Sequence, residues 1–87
     1  MPPFLDPNTL ELIRKVADKR SQLARLEERI ERIESRIDEI DSDQRRIRSN
    51  MGAVDRTSEL YSRYVSVLDE QETELVSLRE ERASVRA

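Results

Sequence analysis

Leu23, Leu26, Ile30, Ile33, Ile37, Ile40, Gln44 and Ile47 follow one another at alternating steps of three and four residues. On an α-helix that alternation places every member on one narrow stripe, the spacing at which two helices interlock along a coiled-coil seam. Between Asn8 and Asn50 there is no Pro or Gly to interrupt the helix that carries it. At about 1.5 Å per residue such a helix is roughly 60 Å long. With 40% of residues charged and 3% aromatic, the apolar side chains suffice to line a stripe but not to fill a globular interior.

The start and stop signals divide the 87 residues into a short arm over residues 1–7, a first helix over 8–51, a turn over 52–55 and a second helix over 56–87. At the first boundary Asn8 can cap with Glu11 reaching back, or Asp6 can cap with Pro7 as the first helical residue. At the second, Gly52 is the only glycine and is expected to adopt the left-handed C-cap conformation, with Asp55 or Thr57 capping the next helix. The second helix has its own stripe at Tyr61, Tyr64, Leu68, Gln71, Leu75, Leu78, Arg82 and Val85. Running the first stripe on through Gly52 would instead bring Glu72 and Arg79 into core positions, so a single rod fits poorly.

Folding the chain back pairs the two stripes at a constant sum of residue numbers. Ile47 then faces Tyr61, Gln44 faces Tyr64, Ile40 faces Leu68 and Ile37 faces Gln71. Further from the turn, Ile33 faces Leu75, Ile30 faces Leu78, Leu26 faces Arg82 and Leu23 faces Val85. Flanking positions bring Arg29 to Glu81, Arg36 to Glu74 and Glu27 to Arg79, with Glu34 against Glu72 as the one like-charged pair. The polar seam members Gln44, Gln71 and Arg82 are expected to select register at some cost in stability, and the Tyr64 hydroxyl to serve Gln44.

The same residues weigh on function. Without His or Cys the usual base, nucleophile and transition-metal ligands are missing, so no catalytic, cofactor or metal site is expected. The carboxylates Asp38, Glu39, Asp41 and Asp43 lack the spacing of a calcium loop, because Arg45 and Arg46 stand where ligands should continue. Sixteen basic against nineteen acidic residues argue against a dedicated nucleic-acid binder, and no apolar run is long enough to span a membrane. The opening residues do not read as a signal peptide, and the compartment is not legible. Arg45, Arg46, Arg48, Arg56 and Arg63 nevertheless make the turn end basic, which leaves an RNA-binding arm as the alternative.

Two apolar groups exceed what one partner helix covers. Leu60, Val65 and Val67 flank the second stripe near the turn and are expected to form an oligomer interface. Leu12, Ile13 and Val16, with Leu10, Ala17, Phe4 and Leu5 nearby, face positions beyond Ala87 in the expected pairing, so the first helix overhangs, and its apolar side is expected to join that interface here and to pack on the body of a parent chain or on a longer second helix in an intact protein.

The stretch DQRRIRSNM (43–51) followed by SELYSRYVSVLDEQETEL (58–75) resembles the helical tail of large bacterial proteins of the mucoidy-inhibitor-like kind, which carry domains of unknown function. The opening LDPNTLELI (5–13) is similar to the end of a β-rich domain leading into that tail. The resemblance implies an accessory helical hairpin, often in proteins thought to be exported, and no known reaction. The expected molecule is therefore all-α: a long antiparallel two-helix coiled-coil hairpin that pairs as a homodimer into a four-helix arrangement. Its partners are a second copy and other segments of a parent chain, and its role is oligomerisation or spacing.

Overall fold

The computed structural model describes residues 6–86, and these form two helices, α1 (Pro7–Met51) and α2 (Glu59–Arg86), folded back on each other as an antiparallel hairpin. Met1–Leu5, which make up most of the expected arm, and Ala87 lie outside the described residues. The cross-section of 20 × 15 Å is that of two helices side by side, with no further layer among the described residues.

Local chemistry decides between the two readings at the start of α1 and explains why the helix ends on either side of the turn depart from expectation. At the start of α1 the alternative reading holds: Asp6, extended at φ −55° and ψ 140°, accepts from the Asn8 N–H at 3.0 Å, and Pro7 is the first helical residue. Proline there gives up a backbone N–H that no helical carbonyl would have reached. Gly52 is not left-handed. Its φ of −63° and ψ of −21° are right-handed, and its N–H donates to the Arg48 carbonyl at 3.3 Å, so the chain continues the α1 spiral before it unwinds.

The turn is accordingly longer than 52–55 and occupies residues 52–58. Asp55 organises it without capping α2: its carboxylate accepts from the Thr57 N–H at 2.9 Å and the Thr57 hydroxyl at 2.8 Å. These two bonds hold the Asp55 carboxyl below its ordinary pKa, because both stabilise the charged form. The cap is Ser58, whose hydroxyl oxygen accepts from the Tyr61 N–H at 3.1 Å, three residues on.

The longer turn moves α2 along α1 by about one heptad relative to the expected pairing. Gln71 donates to Asp43 at 2.7 Å and Gln44 donates to Glu72 at 3.0 Å, which sets Gln44 level with Gln71 and not with Tyr64. The Tyr64 hydroxyl instead accepts from Asn50 at 3.4 Å. In this register Ile47 lies beside Leu68, Ile40 beside Leu75, Ile37 beside Leu78 and Ile30 beside Val85. Ile33, Ile37, Ile40 and Leu75 form the buried core, with Leu78 packed against it. Gln44 and Ile47 are also buried, and Ile30, Tyr61, Tyr64, Leu68, Gln71, Arg82 and Val85 are half-buried.

Charge chemistry favours the slip. Glu34, expected to face Glu72, is paired with Arg86, while Glu72 serves Gln44, so the one like-charged contact is gone. Arg29 still reaches Glu81 at 2.9 Å and Arg36 still grips Glu74 through two nitrogens at 2.8 and 3.0 Å, since both partners are long enough to span either register. Glu27 and Arg79 do not pair among the described residues. Arg36 holds the Glu74 carboxyl below its ordinary pKa, and hydrogen bonds from Arg46 and then Gln71 do the same for Asp43.

Candidate protein-interaction surface

Because α2 ends its described course at Arg86, the register leaves the first half of α1, about residues 7–28, with no helix beside it among the described residues. The stripe does not stop there. Leu12, Val16, Lys19, Leu23 and Leu26 continue toward the N-terminus the same three-four alternation that Ile30, Ile33, Ile37 and Ile40 follow. All of these are exposed: Leu12 to 61%, Val16 to 52% and Leu23 to 56%. Leu23 and Leu26, expected in the intrachain seam opposite Val85 and Arg82, are thus uncovered, because those partners sit one heptad nearer the turn.

Thr9, Leu12, Ile13, Val16, Ala17 and Arg20 line a shallow apolar depression on this face. Around it the charge is lopsided. Residues 7–26 contain Arg14, Lys15, Lys19, Arg20 and Arg25 against Glu11 and Asp18 only, in a chain whose net charge is −3. None of those five cations takes part in an ion pair among the described residues. Lys15 and Arg20 flank the stripe on opposite sides, one residue before Val16 and one after Lys19, where coiled-coil partners exchange charges.

At the turn end Leu60, Val65 and Val67 are likewise exposed, but they do not form one patch. Leu60 and Val67 each precede a seam residue, Tyr61 and Leu68, whereas Val65 follows Tyr64, so they lie on opposite flanks of α2. Of the basic residues there, Arg46 is tied to Asp43 at 2.8 Å and Arg63 to Glu59 at 3.0 Å. Both tyrosines are drawn into the seam.

Among the described residues no group of three or more carboxylates is placed to hold a metal ion; Asp43 is spent on Arg46 and Gln71. No described helix is long and apolar enough to cross a membrane. No family model, curated protein or solved structure matches the chain. Sequence reasoning found the exposure of Leu12, Ile13 and Val16 but missed that Lys19, Leu23 and Leu26 belong to the same surface. The common frame of their spacing was the available signal.

Proposed function

We propose that the hairpin is a non-catalytic structural and protein-interaction module within a larger bacterial protein, one part acting as a strut and the other as a docking face. The observation that carries this is the α1 stripe, which keeps coiled-coil spacing from Leu12 to Leu26 where no partner helix lies beside it. A two-residue-per-heptad stripe is the width one further helix covers, so the module is built to accept helices. Pairing of two hairpins through the turn-end flank at Leu60 and Val67 belongs to the same reading and would give the four-helix arrangement.

Hydrogen exchange on the dilute, monodisperse chain tests it. Amides of residues 10–26 should exchange far faster than those of 33–47, since an unpacked helix frays while the seam opens only with the hairpin. Equal protection in both stretches would overturn the docking face. An RNA-binding arm is supported less well, because Arg46 and Arg63 are neutralised within the chain and no tyrosine stands free to stack on a base. Salt-sensitive RNA binding lost on replacing Arg45, Arg46 and Arg48 by Gln would reverse that ranking.

A further inference from the structure

We propose that the uncovered stripe of α1 takes an acidic amphipathic helix from another protein segment, seated in line with α2 and running antiparallel to α1. The inference rests on the docking-face reading and adds the chemistry of the occupant. The apolar positions Leu12, Val16, Leu23 and Leu26 demand a heptad stripe on the partner, and Lys15 and Arg20 on the flanks demand Glu or Asp at the positions beside that stripe. Lys19 stands inside the stripe, where its methylene stem can pack while its ammonium reaches an acidic flank.

Charge decides between this occupant and a second copy of the same surface. Two copies would set the five cations of residues 7–26 against an identical set, with only Glu11 and Asp18 on each side to offset them. An anionic lipid surface also suits the charge but not the shape: lipid binding favours a broad apolar face, and from Val16 to Leu26 this one is narrow and interrupted by Lys19. Direction follows from α2. A helix seated in its line and running the same way brings an N-terminus, with its partial positive charge, toward the C-terminal carbonyls of the described course of α2.

The test uses the full chain and two synthetic three-heptad peptides, both with Leu and Ile on the stripe, one with Glu and one with Lys at the flanking positions. The Glu peptide should bind, protect residues 10–26 from hydrogen exchange, and bind about tenfold more tightly than the Lys peptide, as charge complementarity at a helix pair requires. Raising ionic strength from about 0.1 M to about 1 M, which shortens the screening length from roughly 10 Å to roughly 3 Å, should erase most of that preference. Lys15→Glu with Arg20→Glu should reverse it while leaving the melting of the hairpin unchanged, since neither residue touches α2. Equal or tighter binding of the Lys peptide, binding of neither, protection outside residues 10–26, or preferential capture by phosphatidylserine vesicles would each overturn the proposal. The exchange rates of residues 10–26 in the free chain judge the docking face separately, so failure of the partner and failure of the face are distinguishable.

Discussion

Two stretches of one helix share a pattern and differ in fate. Between Ile30 and Ile47 the α1 stripe is packed against α2, with Ile40 and Ile47 each 1% exposed. Between Leu12 and Leu26 the same spacing continues on the same helix, and its leucines and valine stand in solvent. Spacing therefore sets which side of a helix is able to pair, while the presence of a neighbour sets whether it does. The paired stretch is also the one whose flanking charges are matched within the chain, by Glu74 and Glu81 of α2, whereas the flanking cations of the free stretch have no such partners among the described residues.

The sharpest way to break this comparison is to make the same deletion in both stretches. Ile40→Ala should cost about 2–5 kcal/mol, because a buried branched side chain is replaced by a void, and in so small a hairpin that should abolish cooperative melting followed by circular dichroism. Val16→Ala, read in the same way, should shift stability by less than about 0.5 kcal/mol. Comparable effects would mean that the two stretches are not different in the way described.

The paired half and the free half each have a polar residue at a stripe position, Gln71 of α2 and Lys19 of α1, and the two should respond differently to removal. The Gln71 carbonyl oxygen is buried without a hydrogen-bond partner among the described residues, although its amide donates to Asp43. Gln71→Leu should therefore stabilise the hairpin by about 1 kcal/mol in urea titrations, the relieved desolvation exceeding the one lost bond. Lys19→Leu in the free stripe should leave hairpin stability unchanged and show up in sedimentation as self-association. A destabilised Gln71→Leu would show that the polar layer supports the paired half.

The turn, whose length sets how far α2 reaches along α1, offers a smaller effect with a definite sign. Gly52 is right-handed, and a methyl group there would meet the Ser49 carbonyl oxygen at an acceptable 3.4 Å. Gly52→Ala should stabilise by about 0.4–1 kcal/mol through the loss of unfolded-state freedom. A left-handed glycine would have given the opposite sign, so the melting temperature alone separates the two.

The smallest effect is the response to acid, which touches the paired half and Asp55 of the turn but not the free stretch. Glu74 and Asp43 have folded-state pKa values below their unfolded ones, through Arg36 for Glu74 and through Arg46 and Gln71 for Asp43. A depressed carboxyl contributes stability that is present above its unfolded pKa, near about 4, and is lost as pH falls through the folded value. The melting temperature should accordingly stay level from neutrality down to about pH 5 and then decline. Asp43→Asn and Glu74→Gln should flatten the decline, and exchange in residues 10–26 should not follow it.

How much was legible can be judged residue by residue. The hairpin followed from the repeat on both sides of a single break, and the Arg29–Glu81 and Arg36–Glu74 pairs from charges that face each other across it. Gln44 was placed opposite Tyr64 because a heptad repeat reads almost equally well when slipped by seven residues: apolar still meets apolar. What separates the two registers is the turn, and its length depended on Ser58, not Asp55 or Thr57, being the cap. Three residues within four positions, Asp55, Thr57 and Ser58, are all able to cap and cannot be ranked by type alone. The same slip moved Leu23 and Leu26 from the seam to the open face.

Sequence alone determined that this chain is helical, that it breaks near Gly52 and which side of each helix can be buried, because helix periodicity, capping and the breaking tendency of glycine and proline are local properties. Only the tertiary structure decided the register, the conformation of Gly52 and the boundary between the paired and the open stretch of α1. Those depend on which of several similar layers wins once the turn, the buried amides of Gln44 and Gln71 and the long ion pairs must all be satisfied together. That competition is between residues far apart in the chain, and no local pattern records its outcome.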